Sequence, residues 1–392
     1  MKSLVVGLTW LVLVACSGKP PAPRQSSGWF RAVLTNAQGI EFPFLLHLGA
    51  GSGKATIVNG SVQLDVDASV TGERVELVMA VFHSRLTAAR VGNRLTGTFE
   101  AMTSFGGTTS MSFAATEIDE PNLVPATGSG EPTGASSGWR IQLAENIGKV
   151  TVREHAQHRL SAVLTMDTGD ITYFGGSGSP DQLVLAGFDG TGVFRLDWTL
   201  PSGKNTGRGR WISGQAGESI EEITVTRDDA FVLPPHDRID DGRKLELPQL
   251  DAFAGKPVLL ELGGSWCATC RLAAPFLVEL FRAHHPEGLE MMTLLYEFST
   301  DPGYNAKQVD LFVKTYGILW PVIAMPGEVA DLATLFPTTL GKTDISGLPV
   351  AIFLDASHTI RGLHVGFPSP NDEATYLETR HQFETMITKV LH

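Results

Sequence analysis

Cysteine is scarce in this chain: three in 392 residues, at positions 16, 267 and 270. So few exclude a disulfide framework, and with no second cysteine pair a four-ligand zinc site lacks its ligands. Positive charge is short as well. Thirty Lys and Arg stand against 42 Asp and Glu, and the net charge of −12 argues against nucleic acid or an anionic membrane surface as a partner. No apolar run reaches the roughly 20 residues a membrane-spanning helix needs. Nicotinamide and flavin motifs are missing, so no such cofactor is expected. Gly49-Ala50-Gly51-Ser52-Gly53-Lys54 fails as a phosphate loop, because Leu48 stands where the first glycine belongs and Ala55 where Ser or Thr belongs. His155 and His158 alone make a poor metal site, and His284-His285 fall at a helix end. What remains is globular: 43% hydrophobic and 18% charged residues, in a length that holds two or three domains.

Two of the three cysteines sit in Trp266-Cys267-Ala268-Thr269-Cys270. The apolar run Val258 to Leu262 precedes them, and the helical run Arg271 to Leu280 follows. A strand feeding a CxxC that opens a helix places Cys267 at the helix N-terminus, where unpaired N–H groups and the helix dipole stabilise a thiolate. The thiolate is the attacking form in disulfide exchange. Cys267 is therefore the expected nucleophile and Cys270, one turn in, the resolving thiol. A structural disulfide is the alternative, but so short a loop constrains little chain entropy. The redox-active pair Cys267–Cys270 would be the only redox centre.

The chain opens with one positive charge in Met1-Lys2-Ser3 and an apolar stretch, Leu4 to Val14, too short to span a bilayer. It ends in Leu13-Val14-Ala15-Cys16. This resembles the lipobox of bacterial lipoproteins, which implies cleavage before Cys16 and a diacylglycerol on its sulfur. An ordinary secretory signal is the alternative. The lipoprotein reading gives a signal peptide over residues 1–16, a tether over 17–27, and a lipid-anchored body facing the periplasm. Ser17 after the cysteine fits outer-membrane sorting.

Residues 28–117 and 138–231 read as two β-rich blocks. Alternating segments such as Ser61 to Val66, Arg74 to Met79 and Val193 to Trp198 recur between glycine turns at Asn59-Gly60, Thr71-Gly72, Gly92-Asn93 and Asp189-Gly190. Ser26-Ser27-Gly28-Trp29 returns as Ser136-Ser137-Gly138-Trp139, a weak internal duplication. The blocks could be two sandwiches, or two halves of one barrel or sandwich. Linkers at 118–137 and 232–244 bracket the second block. From Leu245 to His392 strands alternate with helices: strands over Val258–Leu262 and Leu289–Tyr296, helices over Ala268–His284 and Tyr304–Tyr316. An antiparallel pair, Val350–Leu354 and Ile360–Val365, and a helix over Asp372–Leu391 complete an α/β domain.

Residues 245–392 resemble the thioredoxin superfamily, and more closely the TlpA-type (TlpA/ResA-like) thiol–disulfide oxidoreductases. The motif Trp266-Cys267-Ala268-Thr269-Cys270 carries the resemblance together with Pro275, five residues on, Glu261, six residues before Cys267, and Gly347-Leu348-Pro349 before an apolar strand. It implies a thioredoxin-like fold behind the β-rich region and makes Glu261 a buried acid that takes the proton of Cys270. Pro349 becomes a cis-proline, Leu348 the donor of main-chain groups to substrate, and Trp266 a shield and substrate contact. From the residues alone, Glu261 on a solvated strand face, a trans Pro349 and a core Trp266 remain open. Implied partners are disulfide-containing envelope proteins and a membrane thiol electron donor. The expected activity is disulfide reduction. A binding or scaffold lipoprotein working through its β-rich region is the alternative, as is a disulfide-forming oxidase or isomerase. Gly264, where peroxiredoxins carry threonine, speaks against peroxidase chemistry.

Overall fold

The computed structural model describes residues 27–51, 53–103, 107–119, 136–144, 146–155, 159–179, 182–233, 242–297, 299–325, 347–370 and 372–392. Cys16, the signal segment, most of the tether and most of both linkers lie outside the described residues. Each β-rich block closes on itself as an eight-stranded up-and-down barrel. Barrel 1 runs from β1 (Gly28–Thr35) to β8 (Thr108–Ile118), which pair antiparallel to close it. Barrel 2 runs from β9 (Ser136–Gln142) to β16 (Ser219–Arg227), closed in the same way.

Alternation explains both barrels. Phe30, Ala32 and Leu34 of β1 are fully buried while Arg31 points out, and eight strands leave an interior that side chains fill. The Gly-Trp pair of the repeated motif lies in the first strand of each barrel, yet its tryptophans do not match. Trp139 belongs to the barrel 2 core, whereas Trp29 stacks on His47 of the neighbouring strand, outside the core of barrel 1. A one-residue slip between the copies moves the side chain to the other face.

The barrels share an interface. Phe188 of barrel 2 enters the core of barrel 1, its ring 5.1 Å from Phe44 and 4.9 Å from Phe99. The buried Asn59 side chain clasps Phe188 by both its carbonyl (2.7 Å) and its N–H (3.0 Å). Next to Asn59, Gly60 has φ +57° and rests against the Phe174 carbonyl of barrel 2, with no room for a Cβ. Gly60→Ala is therefore expected to cost about 1–3 kcal/mol through strain and overpacking, read as a lowered thermal midpoint. An unchanged midpoint would mean that the barrels do not press together there.

The third unit is a five-stranded sheet in the order β19-β18-β17-β20-β21. Its strands are β17 (Val258–Gly263), β18 (Glu290–Tyr296), β19 (Val322–Met325), β20 (Val350–Leu354) and β21 (Ile360–Val365). β17, β18 and β19 are parallel, β20 runs antiparallel to β17, and β21 runs antiparallel to β20. The helices are α1 (Ala268–His284), α2 (Pro302–Tyr316) and α3 (Glu373–Leu391). Leu259 of β17 packs in one core with Phe276, Phe312, Phe353 and Phe383. Val258, Leu260 and Leu262 face the other way, against Leu250 and Phe253 of a short 3-10 helix. Among the described residues no helix is long and apolar enough to cross a membrane.

Candidate active site

Buried β17 delivers the chain to Gly264, and α1 starts at Ala268 with Cys267 as its N-cap. The two sulfurs are bonded, with Cα atoms 5.3 Å apart. Cys267 Sγ accepts the Cys270 N–H at 3.1 Å, so the sulfur satisfies one of the helix's unpaired donors. The same N–H and the helix dipole would hold a thiolate once the bond is reduced. Cys267 is 5% exposed and Cys270 fully buried, which makes Cys267 the sulfur nearer to a partner. Trp266 is half-buried, its indole N–H tied to the Tyr296 carbonyl at 2.7 Å, and the ring lies so close over Gly264 that a Cβ there would clash. Pro275 lies inside α1.

Glu261 lies on the face of β17 that Gly263 turns toward Cys270, the Cβ position of Gly263 being 3.3 Å from Cys270 Sγ. It is 2% exposed. Burial pushes its carboxyl up to about 7, opposed in part by the hydroxyl of Thr293. Thr293 donates to Oε2 at 2.7 Å and itself accepts the Trp320 indole N–H at 2.9 Å. Among the described residues, Oε1 has no hydrogen-bond partner. A buried carboxyl whose pKa is raised toward neutrality is suited to taking and returning a proton.

The Leu348–Pro349 bond is cis. Leu348 is half-buried, and its carbonyl accepts the hydroxyl of Thr269 at 2.7 Å. That hydroxyl also stands 3.4 Å from Cys267 Sγ. The structure thus brings Trp266, Cys267, Cys270, Leu348 and Pro349 together at one end of the sheet, with Glu261 on the β17 face turned toward Cys270. Cys16 lies outside the described residues.

Sequence reasoning missed four contributors. Thr269 bridges the cysteine turn to the proline loop. Thr293 and Trp320 orient Glu261. The fourth is Glu297, fully buried, which accepts the Ser265 N–H (3.1 Å) and hydroxyl (2.8 Å) two residues before Cys267. A buried acid one residue beyond the apolar strand Glu290–Tyr296 was the available signal.

No family model matches the chain. It is similar to the thiol-disulfide oxidoreductase ResA of Bacillus thuringiensis (strain Al Hakam), 28% identical over 115 residues, covering 29% of this chain and 56% of the relative. A ResA of Bacillus cereus is 25% identical over 138 residues, 35% of this chain and 69% of that one. The chain thus spans 56% and 69% of the length of these two relatives. Among solved structures, the thiol:disulfide interchange protein DsbE of Chlorobium tepidum aligns over 40% of this chain and all of its own, at 21% identity and a TM-score of 0.29.

Proposed function

We propose that this protein is a thiol–disulfide oxidoreductase that reduces disulfides in proteins of the bacterial envelope, held to the membrane by lipid on Cys16. The observation that carries the reading is the Cys267–Cys270 disulfide capping α1 beside a cis-proline, with the raised carboxyl of Glu261 on the β17 face turned toward Cys270. Similarity to ResA supports the reaction class. The anchor rests on the lipobox-like Leu13-Val14-Ala15-Cys16.

The reduced dithiol works in two displacements. Cys267 thiolate attacks a substrate disulfide, forms one S–S bond and expels the other substrate sulfur as a thiolate, which takes a proton from water. Cys270 then gives its proton to Glu261 and attacks Cys267 Sγ, which releases the second substrate thiolate and re-forms the Cys267–Cys270 bond. Two electrons pass from the dithiol to the substrate. A membrane dithiol donor must return them before the next turnover.

Direction is the testable part. Ala268 and Thr269 put no charge or histidine between the cysteines, so the disulfide has no strong incentive to oxidise others. Thiol trapping across defined redox buffers is expected to place the pair below roughly −220 mV. A value near about −120 mV would make it an oxidant instead.

A further inference from the structure

The barrels do not stand apart from the disulfide; they close over it. Barrel 1 sends the 3-10 helix Ala80–Phe82 and His83 to the redox unit. The Arg271 guanidinium, next to Cys270, lies 3.9 Å over the Phe82 ring. His83 pairs through Nδ1 with the Tyr304 hydroxyl of α2, and its Nε2 lies 3.3 Å from Glu297. Barrel 2 sends two loops. In the first, Asp189 Oδ1 accepts the N–H groups of Thr191 (2.8 Å) and Gly192 (2.9 Å), and Thr191 donates its hydroxyl to the Trp266 carbonyl at 2.8 Å. In the second, Asp170 abuts Gly347, one residue before Leu348, and the Gly169 carbonyl abuts Gly366. Gly366 in turn donates its N–H to the Pro349 carbonyl at 2.8 Å. Ala268 packs against the barrel 1 core.

Barrel atoms therefore cover the cysteine turn on one side and the proline loop on the other. Those are the backbone edges along which a partner chain would have to align to bring its own sulfur to Cys267. Resting on the reading of Cys267 as the attacking sulfur, we propose that the barrels set substrate specificity by size. A small dithiol reaches the disulfide in the closed arrangement, whereas a protein partner reaches it only when the loops carrying Asp170 and Thr191 and the turn carrying His83 lift away.

The contacts along this seam are mixed: beside the hydrogen bonds and the Arg271–Phe82 pair, Val81 of barrel 1 packs into the core of the redox unit, the Tyr173 hydroxyl of barrel 2 accepts the Ser369 N–H at 2.6 Å, and Arg153 lies 3.9 Å from Asp372. Two buried carboxylates on the barrel 2 side, Asp170 and Asp189, are pushed up to about 6 by loss of water, with the Arg271 charge drawing Asp189 back in part. Opening returns both to solvent. When only the open fraction reacts with a protein, the observed rate falls by that fraction.

The test uses the full oxidised chain and two isosteric deletions, Thr191→Val and Tyr304→Phe, each of which removes one seam hydroxyl. Reduction of Cys267–Cys270 is timed with dithiothreitol and with reduced thioredoxin as a protein dithiol. Each deletion is expected to speed the protein reaction about fivefold and the pair about 25-fold, while the dithiothreitol rate moves less than about twofold. Equal protein rates in wild type and the double variant would overturn the gate. So would a parallel rise with both reductants, which would mean altered disulfide reactivity. Should Tyr304→Phe misfold by circular dichroism, Thr191→Val alone carries the comparison. In prereduced protein, alkylation by iodoacetamide against a polyethylene-glycol maleimide must give the same size dependence. A disulfide that dithiothreitol never reduces in any variant would sink the redox reading and the gate together.

Discussion

Cys267→Ser is expected to abolish protein-disulfide reduction, with a loss on the order of 10³-fold or more, because no other described group can replace a thiolate. Serine keeps the N-cap, since its oxygen also accepts the Cys270 N–H, so the fold and the barrels should be untouched. Only the chemistry goes: an alkoxide is not populated at neutral pH, and an S–O bond is no intermediate in exchange. Cys270→Ser makes the complementary change. Cys267 still attacks, but nothing resolves the mixed disulfide, and the substrate stays attached. Mass spectrometry of Cys270→Ser after incubation with a disulfide-bonded protein should find a covalent adduct on Cys267 that dithiothreitol releases. Full turnover by Cys267→Ser would refute the assignment, and an adduct that forms in Cys267→Ser on Cys270 would reverse the two roles. A scaffold acting through its barrels would keep partner binding in both variants and lose no function.

The redox unit was legible because its signals are local. The apolar run at Val258, the helix opening at the CxxC, and the pair Val350–Leu354 and Ile360–Val365 all emerge as read, within a residue or so at each end. The Tyr304–Tyr316 helix starts two residues earlier, at Pro302, with Asp301 as its cap. The edge strand Val322–Met325 escaped, since four half-buried residues after a proline carry no alternation to detect. In the β-rich half the strands and glycine turns were visible, but closure was not. Nothing local in Gly28–Thr35 says that its second partner is Thr108–Ile118 and not the edge of another sheet. The seam was the least visible part. Thr191 meets Trp266 across 75 positions and His83 meets Glu297 across 214, and neither residue type stands out in its own strand or turn. Such contacts depend on how three units pack, which periodicity and spacing do not encode.

Glu261→Gln separates the proton from the sulfurs. Wild-type resolution of the mixed disulfide should accelerate as pH rises through about 7, where Glu261 becomes the base, and the glutamine variant should lack that rise. At pH 8 the variant is expected to resolve about 10²-fold more slowly, seen as lingering mixed disulfide in rapid-quench samples. Stability moves in the opposite direction. Burial raises the folded-state pKa of Glu261 from 4.5 to about 7, so its contribution to stability is fully present below about pH 4.5 and is lost as pH climbs through about 7. Glutamine keeps the Thr293 bond through its amide oxygen and has no charge to bury. The variant should therefore gain on wild type as pH rises, by about 3 kcal/mol between pH 4 and pH 8. Denaturation midpoints at those two pH values measure that gap directly. A gap that stays constant would show that Glu261 titrates as an ordinary carboxyl; one that grows while the resolving rate stays unchanged would leave the acid buried but idle. Only the combination of a stabler protein and a slower second displacement, both emerging above pH 5, fits a carboxyl kept buried at a cost to the fold because it carries the proton of Cys270.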